Sequence, residues 1–476
     1  MATRHIKATI ACKGPVHIGN GERYGKKDYF AIGNDSVGVL DARRFVAGLG
    51  PEDLERYCRF LETDSRSSLE DFLKGGPELA ALANKCVAYR VDMTLARARR
   101  GTRQYFDVAQ FVKGADGMPY VPGSSVKGML RTALLAHVVA ADRGTYLPLF
   151  DEAVSHGRPG KDACRAIERR ALWVEHLNPE DFSDASDIMR YVSVSDSEPL
   201  STSDLVFVKK YDKFSKGDDA DHKLAMGKIS NEAEFFEGNA LNIYRECLRP
   251  GTEATVTIDV DERIDAYLVG LTLDADGIKG VLEEAFALYE RSFLDRFSLD
   301  GVMGLGGSGA GSDDGQCRYV YQGGPLAGRR CRNRAVGNTG YCNTHQSQAG
   351  AAVEPVGCYL GGGVDFDGKT VVNALLDGDR RRVGETSSIL YGQFPTKRDP
   401  SARDYSALDR DVRDAGFEPG YMHAKYDRKG KLTKGKDDHR HWKDVELGVS
   451  PHTVKLGIIG NKKYLMGRCS VALKEA

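Results

Sequence analysis

Two short runs of strict apolar–polar alternation, one near the start of the chain and one past its middle, limit what this sequence can fold into. In Ile6–Ala11, Ile6, Ala8 and Ile10 alternate with Lys7 and Thr9; in Ala254–Val260, Val256, Ile258 and Val260 face one way. A period of two puts successive side chains on opposite faces, the mark of a strand with one face buried and the other in water. Val37–Leu40, Val192–Val194, Leu205–Val208, Thr453–Ile459 and Tyr464–Leu473 read as further strands. Helical character fills the intervals. A charged stretch from about 41 to 74 continues through Pro77–Cys86 and into Met93–Arg103, and a second helix runs from Ser125 to about Ala141. Another is expected near 161–175, and an amphipathic one from Ile278 to about Phe297. This hairpin-rich mixture, poor in βαβ units, predicts an α+β fold.

Glycine supplies 54 of the 476 residues, above its usual share of about 7 %, and it gathers in turns. Three of these turns carry chemistry. The first, Gly14-Pro-Val-His-Ile-Gly-Asn-Gly21, includes His17, Gly19 and Gly21 and is followed by Lys26 and Lys27. His17 has the chemistry of a general acid or base, as in metal-independent RNA cleavage, but the sequence names no partner for it, and a hydrogen-bonded structural histidine is the commoner use of such a residue. In the second, Gly123, Ser124 and Ser125 open a helix whose first N–H groups lack intrahelical partners, which makes an anion site. Lys127 and Arg131, four apart, share that helix's face. Such a set grips a phosphate backbone without reading bases; a plainly capped helix with two exposed cations fits the same residues. In the third, Gly361, Gly362 and Gly363 permit close backbone approach and Lys369 supplies charge. None is a Walker A loop, and no nucleophile elbow, dinucleotide fingerprint or HExxH motif is present.

A separate pattern, Cys317-x13-Cys331-x10-Cys342-x2-His345, offers three thiolates and an imidazole, a complete tetrahedral set for Zn²⁺. Four protein ligands leave no open position, so such a zinc is structural. It would supply the stability that so few apolar residues cannot. Gly301–Gly315 reads as a flexible linker before this module, and Gln346–Pro355 closes it. Its arginines, Arg318, Arg329, Arg330, Arg332 and Arg334, make an auxiliary nucleic-acid contact or a solvated face. Cys12, Cys58, Cys86, Cys164, Cys247 and Cys469 sit in apolar or helical stretches and are expected to be small buried hydrophobes in a reducing cytosol.

With 67 basic and 68 acidic side chains the net charge is −1. That excludes a globally basic nucleic-acid binder and leaves a local patch as the only route to phosphate binding. Lys425–Lys443 reads either as such a patch, an RNA-facing loop with Tyr426 and Trp442 for stacking, or as an ordinary solvated loop, and Lys209–Met226 is a charged tip expected to form an exposed hairpin or loop. MATRHIKATIACKG has no apolar stretch, and no run approaches the roughly 20 apolar residues of a membrane span, so neither a secretory leader nor a membrane partner is expected.

Six phrases, in order, resemble one family: GPVHIGNGERYGKKDYF, MPYVPGSSVKGMLRTALL, VSVSDSEPLSTSDLVFVKK, LNIYRECLRPGTEATVTID, CYLGGGVDFDGKTVVNALL and HTVKLGIIGNKKYLMGRC. They resemble the RAMP-type backbone subunits of type III CRISPR effectors, above all the end-capping subunit of the type III-A (Csm) complex. The resemblance implies two ferredoxin-like (RRM-like) halves with helical insertions: 1–262, and 263–300 with 356–476, interrupted by the zinc-knuckle-like insert 301–355. It implies a cytoplasmic, non-catalytic subunit seated at the 3′ end of the CRISPR RNA and packed on the last repeating backbone subunit. Target RNA is met indirectly, and host nucleases are candidate partners. On this resemblance Gly123–Ser125, Lys127 and Arg131 contact guide phosphates, Gly361–Gly363 and Lys369 form a second contact, and the His17–Gly21 turn shapes the groove. Two other readings stay open: a metal-independent CRISPR endoribonuclease using His17, and a nucleic-acid reader built on the zinc module.

Overall fold

The alternation of Ile6–Ala11 makes the first strand the middle of a sheet. A computed structural model describes residues 2–63, 67–93, 105–155, 161–174, 186–217, 243–305, 333, 344, 355–364, 371–393, 444–460 and 462–476. Its strands are β1 (Thr3–Cys12), β2 (Gly19–Tyr24), β3 (Tyr29–Ile32), β4 (Ser36–Leu40), β5 (Val87–Asp92), β6 (Val108–Phe111), β7 (Val192–Val194), β8 (Leu205–Phe214), β9 (Tyr244–Leu248), β10 (Glu253–Asp261), β11 (Val302–Met303), β12 (Val356–Tyr359), β13 (Thr453–Ile459), β14 (Lys462–Leu465) and β15 (Arg468–Glu475). The helices that matter below are α1 (Ala42–Gly48), α2 (Pro51–Thr63), α3 (Leu69–Leu73), α4 (Pro77–Lys85), α5 (Gly123–Ala141), α6 (Arg143–Ser155), α7 (Lys161–Leu172) and α8 (Ala275–Ser292).

One sheet has five strands in the order β12-β15-β1-β10-β7, every neighbouring pair antiparallel. The two alternating runs pair with each other: Ile6 lies opposite Ile258 and Ala8 opposite Val256. On the other side of β1, Ala8 faces Leu473 and Ile10 faces Val471. Their apolar sides are all buried, while Lys7, Thr257 and their like face water. Helices α5 and α8 cover the apolar face, with Val126, Leu130 and Leu134 from one and Ile278, Val281 and Leu282 from the other in the same core. The sheet therefore joins strands from both ends of the chain around β1.

After β1 the chain crosses to a second sheet through the turn that begins at Gly14. Val16 bridges Leu248 of β9, and β2 starts at Gly19. This ten-stranded sheet branches at β8. One side of β8 pairs with β9, and through it with β6 and β2; the other meets β13, and β5 at the single parallel pair Asp92–Val206. The β3–β5 strands and β9 close over Tyr29, Val39, Val91, Phe207 and Tyr244, so the sheet curls. Helices α1–α4 pack on Phe30 and Leu40 as a side layer.

The fold is α+β, as the patterning predicts, with four local differences. Val87–Asp92, inside a region read as helical, is strand β5, and Met93 follows it; residues 94–104 lie outside the described residues. The charged tip begins as the outer half of β8, paired with β13 through Phe214, and residues 218–242 lie outside the described residues. Within the glycine run, Val302 and Met303 form an edge strand against β14 instead of a linker. Of the six scattered cysteines, Cys12, Cys86, Cys247 and Cys469 are buried, but Cys164 is only half-buried and Cys58 is exposed on α2.

Candidate nucleic-acid interface

The three glycine turns, more than a hundred residues apart in sequence, meet in space. The His17–Gly21 turn and the Gly361–Gly363 turn touch directly: the Gly362 N–H donates to the His17 carbonyl at 2.6 Å. Gly361 has φ +80°, and a Cβ there would stand 2.3 Å from that carbonyl oxygen, so only glycine fits the approach. Ile18, Gly19, Ser125, Gly361 and Gly362 all line one cleft of about 510 Å³. Its inner wall comes from α5, α8 and β12 and includes Phe286, Tyr289 and Tyr359.

The second turn is held from behind. Gly123 lies so close to β7 that a Cβ would stand 2.1 Å from the Val194 carbonyl oxygen. Its N–H donates to Asp196 Oδ1 at 2.7 Å, and the Val121 N–H to Ser197 Oγ at 2.9 Å, so the segment after β7 braces the start of α5. Ser124 is exposed at the helix start. Lys127 is half-buried and has no ion-pair partner among the described residues. Arg131 shares its helix face but is drawn inward, to Glu168 at 3.3 Å and Asp187 at 3.1 Å. Of the two cations, Lys127 is thus the one left without a carboxylate. Lys369, Cys317, Cys331, Cys342 and His345 lie outside the described residues.

His17 is 7 % exposed. Its Nδ1 lies 2.7 Å from the Glu246 carbonyl oxygen, which only accepts, so Nδ1 carries the proton. Burial lowers its pKa to about 4, outweighing that hydrogen bond, and the Arg245 charge pushes the same way. The imidazole is therefore neutral near pH 7, with Nε2 as a bare acceptor.

Sequence reasoning missed what stands behind His17. Glu246 in β9 is fully buried, and its carboxylate accepts from the Tyr89 hydroxyl at 2.6 Å, the Phe111 N–H at 2.9 Å and Lys113 Nζ at 2.5 Å. Lys113 also sits over the Tyr24 and Tyr89 rings. Burial and the Glu246 charge push the Tyr89 hydroxyl far above its ordinary pKa, so it stays a donor. This knot ties β2, β5, β6 and β9 together beneath the turn. The one sequence signal for it is the charged pair Arg245-Glu246 between Tyr244 and Cys247 in a short strand-like run.

Arg245, its neighbour, was also missed. In register it faces Val208, while Lys210 faces Gly457 and Asp212 faces Lys455. Alternate residues of a strand share a face, so Arg245, Lys210 and Lys455 lie on one side of the sheet with Asp212. Asp212 Oδ1 is 2.8 Å from Lys455 Nζ and 3.4 Å from Lys210 Nζ. Against the upward push of burial, the two lysines hold Asp212 below the usual carboxylate range, while burial and Lys455 lower Lys210. Asp212 is shared by the two lysines, and Arg245, on the same face, has no ion pair with it.

A curled α+β architecture with glycine turns at the rim of such a cleft has relatives. Residues 9–312 match the RAMP superfamily, and the chain belongs to it. The chain is 27 % identical over 270 residues to the CRISPR system Cms protein Csm5 of Mycobacterium tuberculosis (strain CDC 1551 / Oshkosh), 54 % of this chain and 66 % of that protein. It is 26 % identical over 266 residues to the protein of the same name from Streptococcus thermophilus, 54 % of this chain and 65 % of that one. The match thus spans just under two-thirds of the length of these curated relatives. One chain of a cryo-EM structure of a Csm-crRNA-target RNA ternary complex in a type III-A CRISPR-Cas system shares the fold, with a TM-score of 0.51 and 15 % identity over 99 % of this chain and 100 % of that one. The family resemblance read from the six phrases is borne out at this level. Among the described residues no helix is long and apolar enough to cross a membrane.

Proposed function

We propose that this chain is a non-catalytic CRISPR RNA-binding subunit of a type III-A effector, which caps the backbone filament at the 3′ end of the guide. The observation that carries this reading is the convergence of the three glycine turns on one cleft, in a chain of the RAMP superfamily related to Csm5 proteins. The turns permit close approach at several points along a groove, which suits a phosphate backbone read without regard to base, although the Gly123 and Gly362 N–H groups are taken by Asp196 and the His17 carbonyl. A terminal subunit needs only one face matched to its neighbour, and the other can diverge and stop growth. Its partners are the CRISPR RNA, the adjacent repeating backbone subunit and, indirectly, target RNA, in the cytoplasm. The two ferredoxin-like halves belong to this reading, as does a structural Zn²⁺ on Cys317, Cys331, Cys342 and His345.

The nuclease alternative is disfavoured by His17 itself. A pKa near 4 makes a weak base at neutral pH, and its Nδ1 proton is committed to the Glu246 carbonyl. Purified chain incubated with precursor CRISPR RNA should leave it intact, and so should His17→Ala. Complexes assembled without the chain, or with Lys127→Glu, should carry guides with ragged or altered 3′ ends. Guide ends that stay the same in both cases would sink the capping role.

A further inference from the structure

We propose that His17 and Arg245, behind the Gly361–Gly363 turn, form a ribonucleotide subsite: Arg245 takes a backbone phosphate, and the bare His17 Nε2 accepts a hydrogen bond from the ribose 2′-hydroxyl of the same nucleotide. The inference rests on the RNA-binding reading above and adds to it a means of telling RNA from DNA.

The two side chains are neighbours. A Cβ on Gly362 would stand 3.2 Å from His17 Cδ2 and 3.4 Å from Arg245 Nη1, and one on Gly363 would stand 3.1 Å from that same nitrogen. Arg245 has no carboxylate partner among the described residues, and its Nη1 is buried with no hydrogen-bond acceptor. A guanidinium left in this state, near Lys210 and on the sheet face where Lys210 and Lys455 already engage Asp212, is a site short of an anion. At His17, the Nδ1–H bond to the Glu246 carbonyl fixes the tautomer, so Nε2 presents a lone pair. Nε2 makes no hydrogen bond among the described residues and is not sealed off. Gly19 keeps it open: a Cβ there would stand 3.0 Å from Nε2. An acceptor beside an anion-seeking guanidinium matches a ribose 2′-hydroxyl, a donor joined to its 3′-phosphate through C2′, C3′ and O3′. A 2′-deoxyribose has no donor to offer.

The test titrates the full chain with a single-stranded all-ribose oligonucleotide and with versions carrying one 2′-deoxy position at a time. One position should weaken binding about five-fold when deoxy, the effect of one lost neutral hydrogen bond. His17→Phe, which keeps a ring but no acceptor, should abolish that sensitivity without changing the salt dependence. Arg245→Gln should lower the slope of log affinity against log salt by about 0.7, one phosphate contact on a single strand. Should His17→Phe fail to fold, His17→Gln, which keeps a polar side chain, takes its place, and the deoxy walk on the wild-type chain still stands as the refuting arm. Binding that ignores every 2′-deoxy substitution overturns this inference alone, as does a sensitivity that survives in His17→Phe. No binding to the all-ribose strand overturns the RNA-binding reading with it.

Discussion

Gly361→Ala and Gly21→Ala separate the contact between turns from mere backbone strain. Both glycines are left-handed, with φ +80° at Gly361 and +91° at Gly21, so alanine pays a similar conformational penalty of about 1–2 kcal/mol at each. Their surroundings differ. A Cβ at Gly21 meets nothing within 4 Å, whereas at Gly361 it would stand 2.3 Å from the His17 carbonyl oxygen and 3.2 Å from Ile18 Cγ1. Relieving that overlap needs a shift of about 1 Å, which costs about 1–3 kcal/mol. It also strains the 2.6 Å Gly362–His17 hydrogen bond, worth about 1 kcal/mol. Gly361→Ala should therefore cost about 2–4 kcal/mol more than Gly21→Ala. The excess should be local: hydrogen exchange by mass spectrometry should speed up in peptides covering 14–21 and 356–364 in the first variant only. RNA affinity should fall with it. Equal stability loss and equal exchange in the two variants would refute the claim that the turns brace each other.

Three further outcomes follow from the same structure. His17 takes up a proton near pH 6.5 when unfolded but only near pH 4 when folded. The unfolded chain thus binds more protons between those values, and stability falls as pH drops from 6.5 toward 4, by up to about 3 kcal/mol; denaturation of wild type and His17→Gln at pH 7 and pH 4.5 should show a smaller acid loss in the variant. Glu246→Ala leaves Lys113, Tyr89 and the Phe111 N–H facing a hole, and should cost about 3–5 kcal/mol; urea unfolding with a midpoint like that of wild type would contradict the knot's role. Metal analysis should find one zinc per chain, lost in Cys317→Ser; a metal-free wild-type chain would remove the zinc assignment.

Much of the fold is legible in residues whose partners follow from period alone. Ile6, Ala8 and Ile10 announce a one-sided strand, and Val256, Ile258 and Val260 announce its partner. Strand β5 was hidden because only Val91 is buried in it, and the helix before it ends without a glycine or proline stop. The site was legible in its turns, since glycine clusters mark close approach whatever they approach. Its charges were not. The four-residue spacing puts Lys127 and Arg131 on one face, but nothing local reveals that Glu168 and Asp187 come in to engage Arg131. Arg245, Lys210 and Lys455 lie on three strands distant in sequence, and only the register of β8 with β9 and β13 gathers them.

The central claim is that the three turns form one RNA-binding surface. Photo-crosslinking of a bound guide RNA to the full chain, mapped by mass spectrometry, tests it most directly. The account predicts crosslinked peptides from all three segments, 14–27, 119–131 and 356–364, attached to nucleotides close together at the guide's 3′ region. Crosslinks confined to residues 301–355, or to only one of the three turns, would contradict it.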